Sequence, residues 1–113
     1  MDIHVHEQDG EVSLVLEGRF DAHEVGGFKA IIDDHLARGI CHFRVELADV
    51  NFVDSTGLAA LVRGMKRSRE RGGDVVLVRP SDPVRVILEL TCLDVAFVIV
   101  DAGAGDRTTT SNV

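Results

Sequence analysis

The chain has 113 residues, the length of one ordinary domain, which excludes a catalytic domain joined to a separate regulatory one. Hydrophobic residues make up 45% and charged residues 27%, enough to bury a core and too apolar for a disordered chain. Twelve Lys and Arg against nineteen Asp and Glu leave a net charge of −7, and there are five Phe but no Trp or Tyr. The charge repels phosphate backbones and anionic lipid, and the few rings offer little for bases to stack on, so neither nucleic acid nor a membrane is an expected partner.

The first eleven residues are acidic and broken by His and Gln, unlike the basic start and apolar run of about 7–15 residues that a secretory signal needs. The longest apolar run, Val95–Val100, is six residues, against the roughly 18 or more of a spanning helix. Cys41 and Cys92 make neither a disulfide framework nor a four-ligand zinc site. A cytoplasmic protein with reduced thiols is therefore expected.

In chain order, Ile3–Glu7 reads as a strand. Gln8-Asp9-Gly10 then reads as a turn, and Val12, Leu14 and Leu16 alternate as a second strand of the same hairpin. Val25, Phe28, Ile32 and Leu36 stand at helical spacing, with Asp21 and Glu24 placed to form a capping box and Gly39 placed to end the helix. Phe43, Val45 and Leu47 form the next alternating strand. Leu58, Leu61, Val62 and Met65 make the inward stripe of a second helix, whose outer side carries Arg63, Lys66, Arg67, Arg69 and Arg71 and reads as a solvated face. Val75–Val78 and Phe97–Val100 are β-branched runs expected to be strands buried on both faces. Between them Ser81-Asp82-Pro83 is expected to cap and open a third helix with Val84, Ile87 and Leu88 inward, ending near Thr91. The order β-β-α-β-α-β-α-β defines an α/β fold, a mixed sheet with packed helices, over residues 1–101. Residues 102–113 are small and polar and read as a frayed tail.

The informative segment is Asn51-Phe52-Val53-Asp54-Ser55-Thr56-Gly57-Leu58, an acid and two hydroxyls between the end of a strand and the start of a helix. Taken alone, Asp-Ser-Thr-Gly is ordinary helix N-cap chemistry; its place in this order of elements gives it more. It resembles the Asp-Ser-Ser/Thr-Gly phosphorylation motif of the STAS domain, the fold of bacterial anti-sigma-factor antagonists. Gly18-Arg19-Phe20-Asp21, Gly72-Gly73 and Pro83-Val84 fit the same pattern over roughly residues 3–101. The resemblance implies that a partner serine kinase phosphorylates Ser55, with Thr56 the neighbouring hydroxyl. Asp54, Gly57 and Asp21 are then expected on the partner-binding surface. It further implies that the unmodified chain binds an anti-sigma factor that is itself the kinase and that a phosphatase resets the switch. The free chain is expected to be a monomer, and no bound cofactor is expected, since the sequence has neither Gly-x-x-x-x-Gly-Lys-Ser/Thr nor Gly-x-Gly-x-x-Gly. The other reading of the same fold is a scaffold that binds a transport or signalling partner without being phosphorylated. Thr91-Cys92-Leu93 departs from the pattern, since the family often has Gly before that leucine.

A helix start is a suitable place for such a switch. Its unsatisfied amides and partial positive charge favour a nearby anion by about 0.3–1 kcal/mol, so a phosphate on Ser55 need not unfold its own domain. Hydrolysis is disfavoured, because Val53-Asp54-Ser55-Thr56-Gly57 lacks the glycine before the serine of a nucleophile elbow, although His23, His35 and His42 are possible bases. His4 and His6 share one strand face but lack further ligands nearby. Cys41 and Cys92 are expected to be small buried apolar side chains.

Overall fold

A computed structural model describes residues 1–101, so the expected tail at 102–113 lies outside the described residues. The elements are β1 (Asp2–Gln8), β2 (Glu11–Phe20), α1 (Val25–Ala37), β3 (His42–Val53), α2 (Ser55–Arg69), β4 (Asp74–Val78), α3 (Asp82–Leu90) and β5 (Val98–Val100), with a short 3₁₀ turn at Leu93–Val95. The strands lie in the spatial order β1-β2-β3-β4-β5, β1 antiparallel to β2 and every later neighbour parallel. This is the mixed sheet expected from the element order.

The hairpin is closed by Asp9 and Gly10, both with positive φ (54° and 81°), the conformation of a two-residue type I′ turn, whose twist matches the strands it joins. Along β2, Val12, Leu14 and Leu16 are fully buried; Phe43 and Val45 of β3, the partners of Val12 and Leu14, and Val75 and Leu77 of β4, which pair with those two in turn, are buried beside them. The period of two therefore places one face of the sheet in the core. The α1 stripe Val25, Phe28, Ile32 and Leu36 and the α2 residues Leu58, Leu61 and Met65 cover that face, joined by Val84 and Leu88 of α3. Helix α1 ends in a Schellman motif: the amide of Ile40 bonds the His35 carbonyl and that of Gly39 the Leu36 carbonyl.

Four local expectations are corrected. Asp21 and Glu24 make no capping box. The Asp21 carbonyl accepts the amides of Glu24 and Val25, while Glu24 Oε1 takes the Met1 amino group at 3.1 Å and caps nothing. Ser81 occupies the N-cap position of α3, but its hydroxyl donates to the Val50 carbonyl and so ties α3 to β3. Strand β5 is an edge strand, half-exposed at Ile99 and Val100 and open at Val98; an apolar run does not say whether a second neighbour lies beside it.

The basic side of α2 is also not merely solvated. Arg63 and Arg67 both reach Asp33 on α1, Arg69 bonds Asp74 and the Ala96 carbonyl, and Arg71 caps the Leu36 carbonyl at 2.6 Å, leaving Lys66 exposed. The Arg63 guanidinium, hydrogen-bonded to Asp33 at 2.9 Å, is the main cause that holds the Asp33 carboxyl below its ordinary range.

Candidate functional site

Strand β3 pairs with β4 only over His42–Glu46 but with β2 as far as Val53. Its second half therefore runs past β4 and carries residues 54–57 to the C-terminal end of the sheet, where α/β folds place their sites. There Asp54 adopts an extended backbone and becomes the N-cap of α2. Its Oδ1 accepts the Gly57 amide at 2.8 Å and its carbonyl accepts the Leu58 amide at 2.9 Å. Its Oδ2 accepts the Ala22 amide at 3.1 Å, so one carboxylate fastens the β2–α1 loop to the first turn of α2. These bonds, the Gly57 amide foremost, hold the Asp54 carboxyl below its ordinary range.

Ser55 and Thr56 follow as the first two helical residues, both exposed, while Gly57 and Leu58 turn inward. Gly57 is where the helix start meets β2: a Cβ there would lie 2.3 Å from the Phe20 carbonyl oxygen and 3.1 Å from Val53 Cγ2. Asp21 sits next to Ala22 on the loop that Asp54 holds. Its Oδ1 accepts the His23 amide at 3.1 Å and its Oδ2 lies 3.5 Å from Arg19 Nε.

The five residues expected at the site are thus at one end of the sheet, but with different work. Ser55 and Thr56 are displayed, whereas Asp54, Gly57 and Asp21 are engaged in internal bonds or packing. The expectation that the helix start has free amides for a phosphate needs amending, because Asp54 already occupies the Gly57 amide. The sequence reading gave no role to Arg19 and Phe52, whose guanidinium and ring stack at 4.0 Å beside this turn. Their pairing depends on the β2–β3 register, which no local pattern specifies.

The histidines are elsewhere or idle. His35 is buried near the end of α1, its Nδ1 at 2.8 Å from the Ile31 carbonyl of the same helix, and His42 begins β3, at the end of the strand away from Ser55. With His6, His42 lines a shallow cleft of about 450 Å³ at that far end. Among the described residues the His23 ring makes no hydrogen bond to Ser55. His4 and His6 turn to different partners, Glu17 and Gln8. Cys41 is half-buried, whereas Cys92 is exposed, contrary to expectation, and holds the left-handed position (φ 60°) after α3 that glycine would take.

An open α/β sheet thus presents a hydroxyl at a helix start, and the acid beside it is used to position that turn. Comparison with known proteins gives the class. The STAS domain family model matches residues 2–102, and the chain belongs to that family. The anti-sigma-B factor antagonist of Listeria monocytogenes is 28% identical over 92 residues, covering 80% of this chain and 81% of that one. The anti-sigma F factor antagonist of Paenibacillus polymyxa is 24% identical, with 82% and 80% covered. Among solved structures, a Thermotoga maritima protein superposes with a TM-score of 0.85 at 28% identity over 91% of this chain and 89% of that one. The Bacillus cell-fate determinant SpoIIAA, solved in its phosphorylated form, shares the fold with a TM-score of 0.78 at 20% identity, covering 93% and 95%.

Proposed function

We propose that this chain is an anti-sigma-factor antagonist switched at Ser55. Unmodified, it binds an anti-sigma factor that is a serine kinase and so frees a sigma factor; phosphorylation of Ser55 ends that binding, and a serine phosphatase restores it. The supporting observation is the exposed Ser55 hydroxyl at the first position of α2, reachable by a visiting active site and set on a turn that Asp54 fastens to the β2–α1 loop. The free chain acts as a monomer in the cytoplasm.

The consequence of the phosphate follows from charge. It adds about −1.5 to −2 at neutral pH, next to an Asp54 carboxylate that its amide bonds keep ionised and that has already taken the Gly57 amide. A partner surface matched to a neutral hydroxyl then meets two anions at close quarters. Losing about 2.7 kcal/mol weakens an interface roughly a hundredfold, since each 1.4 kcal/mol is tenfold. The effect is on binding and not on shape, because the first turn of α2 is already held by Asp54 and Gly57.

Incubation with the cognate kinase and ATP tests this. The parent and Thr56→Ala are expected to take up label and Ser55→Ala is not; equal labelling of Ser55→Ala removes the assignment. Intact mass of protein from its own cells that shows no phosphoform in any growth state favours the unphosphorylated scaffold instead.

A further inference from the structure

Four of the five phenylalanines, Phe20, Phe28, Phe43 and Phe97, are at most 5% exposed, whereas Phe52 is 37% exposed. It stands three residues before Ser55 in the part of β3 that projects past β4. Its register partner on β2 is Arg19, whose guanidinium lies over the ring at 4.0 Å and is steadied by Asp21 Oδ2 at 3.5 Å from Nε. Asp21 is in turn fixed by the His23 amide, so both side chains are ordered before any partner arrives. Such preordering lowers the entropy cost of binding, and aromatic and arginine side chains are the types that most often carry interface energy.

We infer that Arg19 and Phe52 anchor the surface that the Ser55 kinase covers. Phe52 fills an apolar pocket on the kinase, and the guanidinium donors that Asp21 leaves unused meet a carboxylate at that pocket's rim. The inference rests on the reading of Ser55 given above. The geometric reason is one of footprint. A specific interface covers about 800 Å² on each partner, a patch roughly 30 Å across. Three residues of chain span at most about 11 Å, and adjacent strands lie about 4.8 Å apart. A patch of that size centred on Ser55 is wide enough to reach Phe52 and Arg19, both of which are exposed. Asp54 and Asp21 then act as positioning residues, one holding the loop and the other holding Arg19.

The test is the kinetics of Ser55 labelling by the serine kinase purified for that activity from cells that make this protein, with ATP saturating. Phe52→Ala and Arg19→Ala are expected to raise KM for the protein substrate about tenfold or more with kcat little changed, while Phe52→Tyr, which keeps a ring, stays near the parent. The thermal midpoint of each variant separates this from unfolding, and Phe52→Leu supplies a second, milder truncation. Calorimetry of the ADP-loaded kinase against Ser55→Ala, with and without Phe52→Ala, should show the same tenfold loss without catalysis. Changes below about twofold in both assays overturn the anchor while leaving the Ser55 switch intact. No labelling of the parent overturns both.

Discussion

Replacing Gly57 by alanine adds one methyl group to the start of α2, where helix propensity alone favours the change. The surroundings decide otherwise. The new Cβ would stand 2.3 Å from the Phe20 carbonyl oxygen, and contacts under 3.0 Å are essentially never seen for real Cβ atoms, so strand and helix must part by at least 0.7 Å. That oxygen also receives the Asp54 amide at a long 3.4 Å, so separation weakens the link that seats the N-cap. The opposing atom is backbone and has no rotamer to change, which puts the cost at the upper end of the overpacking range, about 3 kcal/mol. For a domain of this size that lowers the thermal midpoint by about 12 °C, at about 4 °C per kcal/mol. Gly26→Ala on α1 is the matched control, because nothing lies within 4 Å of its added Cβ; it should stabilise by about 0.5 kcal/mol. Melting both variants by circular dichroism checks the opposite signs. A Gly57→Ala midpoint within about 2 °C of the parent would falsify the close-approach argument.

Ser68 is fully buried on α2 and its hydroxyl has no hydrogen-bond partner among the described residues, so Ser68→Ala should be neutral or stabilising by up to about 1 kcal/mol in urea unfolding; a loss of that size would reveal a partner for the hydroxyl. Cys92 holds a left-handed backbone that glycine adopts without the Cβ penalty, so Cys92→Gly should raise stability by about 1 kcal/mol despite the greater freedom of the unfolded chain, and a lower urea midpoint would contradict it. Asp54 and Asp33 have carboxyl pKa values lowered in the folded chain from 3.8. Their stabilisation is complete above that unfolded value and is lost as pH falls below it through the folded values. Asn also caps helices well, so Asp54→Asn should keep α2 while flattening the acid limb of a stability–pH curve; an unchanged limb would show that Asp54 is not linked to folding.

Much of the architecture was legible because it follows from short-range periodicity. Alternation in Val12–Leu16 and Phe43–Leu47, helical spacing in Val25–Leu36 and Leu58–Met65, and the Asp9-Gly10 turn are all properties of adjacent residues, and burial in the folded chain follows them. The motif at residues 54–57 was legible for the same reason, as a run of capping residue types at the mouth of a helix.

What escaped was decided by partners distant in the chain. The sequence offers Asp54 as a helix cap and as a partner contact, but not that its second oxygen accepts the Ala22 amide, thirty-two residues away. The arginines of α2 and of the turn after it are expected to be solvated, yet Asp33 and Asp74 bind those of the helix and the Leu36 carbonyl accepts Arg71 just beyond it. Sequence by itself determined the inward faces of β2, β3, α1 and α2 and where the hydroxyl lies along the chain, since local steric and hydrophobic terms depend on neighbours in order. Only the tertiary structure decided which polar groups are already occupied, because hydrogen bonds and ion pairs are set by strand register and helix packing. That occupancy is what leaves Ser55, Thr56, Arg19 and Phe52 facing outward at one end of the sheet.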